Sequence, residues 1–306
     1  MGRHDRKTSY LLTLNRHPAF AILLLILLIA AIAALNGFVE INGARWINRP
    51  PVVWAGTALL LTLAVAVMGG SVNGRLAGVL IDNRNRVSLS KFQAALWTIL
   101  VVSALATAAA VNITDWPAAL AAWDAHQLTL PAANPPAERP TGPLDINLPT
   151  ELLFAMGISA VSLVATPSLL SLKANDQPAA GELDKTRQKL NLADGEVQAT
   201  GKVLSLSSPQ LASWSDMFLG EEVTNGASAD LGKVQQFAIT ILLIGVYSAA
   251  LWKAFATAGA GGGFLEMPPL SQGFVTLLAI SHASYLAYKV APHGRQTPPA
   301  GDPPPG

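Results

Sequence analysis

Cysteine is absent from the 306-residue chain. That excludes a disulfide scaffold and any thiolate-based metal or redox site. Charge is scarce too. Asp, Glu, Lys and Arg make up 13% of the chain, about half the usual ~25%. The formal net charge of +1 leaves no basic surplus for nucleic acid. There is no Ser–His–Asp set, zinc motif or phosphate loop, and the glycine run at Gly259 to Gly263 neither follows a strand nor opens a soluble helix. The sequence therefore predicts no enzyme, no cofactor and no metal.

What is present is apolar. Hydrophobic residues make up 51% of the chain, and the mean hydropathy is +0.39. They come in blocks long enough to cross a bilayer of ~30 Å at ~1.5 Å per residue. Six such spans are predicted: Ala19 to Leu35, Val52 to Met68, Phe92 to Val111, Leu152 to Leu172, Val234 to Trp252 and Phe274 to Tyr288. Of the 20 Lys and Arg residues, only Arg45, Arg49, Arg139 and Lys253 fall on one side. The positive-inside bias then places both termini in the cytoplasm. Trp46, Trp54, Trp116, Trp123 and Trp252 sit near the outer span ends, where amphipathic rings prefer the interface. Ala31-Ile32-Ala33 resembles a signal-peptide cleavage site, but the apolar run is too long and cleavage would invert the charge pattern. These features fit a bacterial cytoplasmic (inner) membrane.

The chain also repeats itself. At an offset of 142, Leu89, Lys91, Gln93, Thr98, Ile99 and Leu100 match Leu231, Lys233, Gln235, Thr240, Ile241 and Leu242. Upstream, Gly78 and Asn83 match Gly220 and Asn225. At an offset of 122, Ile158-Ser159, Ser162 and Ala165 match Ile280-Ser281, Ser284 and Ala287. Spans three–four and five–six thus read as two parallel copies of one unit: elbow, outgoing helix, outer loop and returning helix. The expected fold class is an all-α integral membrane protein of six helices. Residues 1–71 form a two-helix hairpin, 72–173 the first copy, 174–213 a cytoplasmic connection and 214–290 the second copy. Residues 291–306 form a Pro-rich tail expected to be disordered. The elbow ending in Ser88-Leu-Ser-Lys-Phe-Gln93, and its second version Trp214 to Asn225 with Asp230-Leu-Gly-Lys-Val-Gln235, resembles uncharacterised bacterial multi-spanning membrane proteins. That resemblance covers roughly 76–173 and 214–290, and it implies an architecture without an activity.

Each recurrent motif has a plain reading and a functional one. Ser88 and Asp230 can cap helices, and Lys91 and Lys233 can snorkel to lipid phosphates. Gln93 and Gln235 can bond across the pseudo-axis, or form two symmetry-related amides at an inner mouth that hold an ion or polar ligand. His282 is the only ionisable residue deep in any predicted span, on a polar stripe with Ser281, Ser284, Tyr285 and Tyr288. No Asp, Glu, Lys or Arg lies inside the apolar cores, which argues against ion-driven pumping. Between Lys173 and Lys233, a charged segment (Glu182 to Lys189) and a β-like run (Glu196 to Leu206) precede Pro209 to Gly220. That last stretch reads as an amphipathic helix on the inner leaflet, with Leu211, Trp214, Met217 and Phe218 on its apolar face. The acidic pair Glu221-Glu222 reads as a solvated elbow, or as a cation site with Asp216 or Asn225. The outer stretch from Asn112 to Thr150 reads as a loose Ala- and Pro-rich cap.

Two functions follow as expectations. The first is a membrane-embedded structural or interaction subunit, in contact with lipids and engaging a protein partner through its elbows and cytoplasmic loop. The second is a homo-oligomeric channel or passive permeation protein lined by polar residues of the repeated core.

Overall fold

The computed structural model describes residues 18–35, 40–41, 44–45, 49–129, 139–258 and 263–291. The basic residues before position 18, Trp46, the loop at 130–138, the Gly-rich stretch 259–262 and the tail from 292 lie outside the described residues. The chain is mostly helical. Helix α1 (Pro18–Ala33) leads through a short hairpin, β1 (Glu40–Ile41) with β2 (Ala44–Arg45), into α2 (Pro50–Asn73). Then come α3 (Leu89–Gln127), α4 (Thr150–Ser171), the short α5 (Glu182–Lys189), the hairpin β3 (Val197–Thr200) with β4 (Val203–Leu206), α6 (Leu231–Ala258) and α7 (Gln272–Val290). Among the described residues four helices, α2, α3, α4 and α6, are long and apolar enough to cross a membrane.

Helices α3, α4, α7 and α6 close into a ring in which each packs on its two neighbours. Helix α2 lies against both α3 and α6, and α1 against α2. One end of the ring is filled by Trp97, Leu100, Leu243, Tyr247, Leu251, Phe255 and Leu278. Buried positions on α3 recur 143 residues later on α6: Trp97 with Thr240, Leu100 with Leu243, Ala104 with Tyr247, Ala108 with Leu251. On α4 they recur 123 residues later on α7: Ala155 with Leu278, Ser159 with His282, Ser162 with Tyr285, Thr166 with Lys289. Both offsets are one residue beyond those that carry the sequence identities. One residue is ~100° of helix rotation, so α6 and α7 turn a different face inward than identity alone suggests.

Two expectations are corrected. The outer stretch is not loose from Asn112 onward, because α3 continues to Gln127. It bends at Asp115, where φ and ψ leave the helical region, two residues before Pro117. Proline removes one backbone donor and suits the first turn of a helix, and the alanine-rich run after it is a strong helix former. The stretch from Pro209 to Gly220 is not one amphipathic helix. It forms two 3₁₀ turns, Pro209–Leu211 and Trp214–Phe218, broken at Ala212 by extended backbone.

A third 3₁₀ turn, Gly78–Leu80, follows α2 and packs on it. The approach is glycine to glycine, since a Cβ on Gly78 would strike the carbonyl of Gly69. Gly78→Ala should therefore cost about 1–3 kcal/mol through overpacking. Gly157→Ala on α4 meets nothing within 4 Å and should change stability by less than about 0.5 kcal/mol. Melting temperatures of the two detergent-solubilised variants check the contrast.

Candidate functional site

The two elbows share one local geometry. In the first, the turn Gly78–Leu80 is followed by an antiparallel bridge between Ile81 and Val87. Ser88 N donates to Leu80 O (2.8 Å), Ser88 Oγ accepts from Lys91 N, and Lys91 Nζ donates to Ile81 O (2.7 Å). In the second, the turn Trp214–Phe218 is followed by a bridge between Leu219 and Ala229. Asp230 N donates to Phe218 O (2.7 Å), Asp230 Oδ1 accepts from Lys233 N, and Lys233 Nζ donates to Leu219 O (2.7 Å). Each lysine thus reaches back to a carbonyl at the end of its own 3₁₀ turn rather than out toward lipid. Lys233 is buried, at 3% exposure.

The elbows interlock. The first carries Asp82, Arg84 and Arg86, and the second carries Asp216, Glu221 and Glu222. Arg86 is buried, donates through Nη1 to Gly220 O (2.6 Å) and sets Nε 3.5 Å from Asp216 Oδ1. Asp216 Oδ2 also accepts from Ser213 N and Val87 N, which ties the two elbows by their backbones. Glu221 Oε1 receives three cations: Lys289 Nζ at 2.8 Å, Lys233 Nζ at 3.0 Å and Arg84 Nη2 at 3.5 Å. Arg84 is itself held by Asp82 at 2.6 Å. Glu222 Oε1 binds Lys173 Nζ at 2.6 Å, and Lys173 also donates to Ala291 O. The acidic pair is therefore a buried hub, not a solvated elbow. It joins the residue beyond α4, the start of α6 and the end of α7.

Burial alone would raise the Glu221 carboxyl; Lys233, Lys289 and Arg84 outweigh it and hold the group well below the ordinary carboxylate range. Burial, with neighbouring Arg84 adding to it, lowers Arg86.

A polar layer lies inside the ring, contributed by all four helices. Gln93 Nε2 donates to Thr240 Oγ1 (2.7 Å), and Gln236 Nε2 donates to Gln93 Oε1 (3.1 Å). Gln236 Nε2 also donates to His282 Nδ1 (3.1 Å), and Ser162 Oγ lies 2.5 Å from the same nitrogen. An Nδ1 that accepts leaves the ring proton on Nε2. Tyr285 bonds with Ser90 and Thr166, and Lys289 Nζ sits 4.4 Å from its ring centre. Polar contacts thus run from the Glu221 hub into the ring as far as His282 and Thr240.

The sequence-predicted residues divide as follows. Gln93, His282 and Tyr285 meet in or beside the polar layer, and Ser281 is buried near them. Gln235 is exposed; its neighbour Gln236 faces Gln93. Met217 packs with Leu80, Ile81 and Val87, and Phe218 stacks edge-on to Phe237, so neither faces lipid as an apolar helix face would. Trp214 is 52% exposed, with its ring nearly perpendicular to that of Phe92. The sequence reading overlooked Arg84, Arg86, Lys173 and Lys289 as structural ions and Gln236 as a partner. The available signals were the Arg84-x-Arg86 spacing opposite Glu221-Glu222 and the doubled Gln235-Gln236. No protein-family model matches the chain, nor does any curated protein or solved structure.

Arg86→Ala leaves Asp216 buried without its cation and should cost about 3–5 kcal/mol. Replacing both as Arg86→Met with Asp216→Leu should recover much of that loss, as read by thermal unfolding. Glu221 ionises more readily folded than unfolded. Its contribution is full above the unfolded carboxylate value of about 4.3 and fades as pH falls from there toward its depressed folded value. Glu221→Gln should flatten the stability curve below about pH 4.3, as measured by unfolding across that range.

Proposed function

We propose that the chain is a six-span inner-membrane subunit with both termini in the cytoplasm, whose duplicated hairpin core carries the interlocked elbows as a rigid platform for a protein partner. The observation that carries this reading is the elbow pair itself. Two loops with the same turn, bridge, cap and lysine back-bond dock on one another through opposite charge. Such matched geometry at matched sequence motifs supports a duplication, and the ring with its paired buried faces supports a parallel one. Helix α1 and the more polar α7 complete the six spans with α2, α3, α4 and α6.

Below the elbows, α5 and the β3–β4 hairpin form a small folded layer with a core of Val197, Leu204, Leu206 and Val223. Leu204 N donates to Glu221 O and Val223 N to Lys202 O, so this layer is an extension of the second elbow rather than a loose connection. Its outer face carries exposed Asp184, Lys185 and Lys189 on α5, with Glu182 half-buried. Permeation through one copy is disfavoured because aromatic and aliphatic side chains fill one end of the ring. A channel between copies, the second reading, would have to run along outward faces that are apolar, such as Phe154, Val161 and Val164 on α4.

Single cysteines test the topology in a chain that has none of its own. Thr141→Cys should react with an impermeant maleimide in intact cells, and Ser207→Cys only after the membrane is opened. Native mass spectrometry of the gently extracted protein tests the platform. A stoichiometric foreign subunit, lost on Lys185→Glu with Lys189→Glu, is expected; a homo-oligomer with liposome flux would favour the channel.

A further inference from the structure

A cleft of about 200 Å³ opens where α4 and α7 end against the β3–β4 turn. It is smaller than the roughly 300–1,000 Å³ of pockets that enclose drug-sized ligands, and suits a group of headgroup size. Its lip is apolar: Leu172 and Val290, 67% and 54% exposed, stand at the ends of the two helices. Its floor carries Lys173 on Glu222 (2.6 Å), and its rim carries Lys202 on Asp176 (2.9 Å).

The two ion pairs differ. Lys173 and Glu222 are nearly inaccessible and belong to the elbow hub, with Lys173 also held by Ala291 O. Lys202 and Asp176 are partly open, at 32% and 58% side-chain exposure. Lys202 spends one of its three donors on Asp176. Its place is fixed by backbone: Lys202 N donates to Lys173 O (3.2 Å), and Gly201, at φ +58°, passes so close to Ala174 that a Cβ would collide. So a cation and an anion are both held ready at the rim, beside exposed leucine and valine.

A ligand entering here must satisfy both signs. A purely anionic headgroup would face Asp176 and Glu222 as well as the lysines. A quaternary ammonium has no N–H for Asp176, and among the described residues no aromatic side chain lines the cleft to receive it. A phosphate with a primary ammonium fits: the phosphate accepts from Lys202 and the ammonium donates to Asp176, exchanging one partly exposed ion pair for two. Acyl chains would then run along the apolar lip. We propose that this cleft seats the headgroup of a phospholipid carrying a primary amine, with Lys202 holding its phosphate and Asp176 its ammonium. This rests on the reading that these helix ends lie at the membrane surface.

The test uses the delipidated full-length protein in detergent, titrated by native mass spectrometry with phosphatidylethanolamine, phosphatidylcholine and phosphatidylglycerol of identical acyl chains. The unmodified protein should bind the ethanolamine lipid roughly tenfold more tightly than the other two, the scale of one charge-assisted hydrogen bond. Asp176→Asn should reduce that lipid to the choline level and spare the glycerol lipid. Lys202→Ala should weaken all three by roughly tenfold. Both variants alter a partly exposed pair, and an unchanged lipid-free melting temperature confirms their fold. Equal binding of the three lipids, preference for the glycerol lipid, or an ethanolamine preference that survives both substitutions overturns the proposal. Flotation on vesicles separates the two readings. A chain that floats but shows no headgroup preference overturns the cleft proposal alone. A chain that fails to float yet binds soluble phosphoethanolamine through Asp176 and Lys202 overturns the lipid as its source.

Discussion

The structure turns on one buried carboxylate. Glu221 Oε1 gathers Lys233, Lys289 and Arg84 in a place with little water. Burying ions costs several kcal/mol each, and their attraction offsets this only when the geometry is good. The four charges come from elbow one, elbow two, the start of α6 and the end of α7. None of these elements can leave without stranding the others' charges. The neighbouring Glu222–Lys173 pair extends the same constraint to the chain just beyond α4. The ends of three ring helices are therefore fixed at one level by electrostatics, while apolar side chains fill the other end.

That arrangement explains why the elbows are ordered. A loop of this length with a solvated acidic pair would be free to move. Here Arg86 holds the second elbow by its Gly220 carbonyl, and Asp216 holds the first by the Val87 amide. The β3–β4 hairpin adds its backbone to the same loop at Leu204 and Val223. The result is a layer tied to the ring by ion pairs and backbone hydrogen bonds, and aromatic and aliphatic side chains pack the ring's other end. The polar layer of Gln93, Gln236, His282 and Ser162 then fits a role in specifying which helix faces meet, since each residue's partner lies on another helix.

Much of this was legible in the sequence, and the failures have physical causes. The apolar blocks, the caps at Ser88 and Asp230 and the β-like run before Leu206 are local signals, and local signals survive folding. The lysines were recognised as equivalent, but snorkelling and back-bonding to a carbonyl use the same side chain at the same position. Only the path of the preceding loop separates them. Gln236 was missed because identity is counted along the chain while packing is counted around the helix, and a one-residue shift moves the inward face by ~100°. Arg84 and Arg86 entered only as positive charge on one side. Their partners on the second elbow, Glu221 and Asp216, lie more than a hundred residues away, and no sequence period encodes such a pairing. Trp214 to Phe218 has helical apolar spacing, but a 3₁₀ turn of five residues was enough to bury Met217 and leave Trp214 outside.

The claim that a shared carboxylate holds the helix ends together is best tested by a double-mutant cycle on unfolding free energy, with Glu221→Gln and Lys289→Gln made singly and together. The account predicts strong non-additivity, in the range of about 1–3 kcal/mol for groups within one buried network. Effects that add within about 0.5 kcal/mol would show the two residues to be independent and would contradict it.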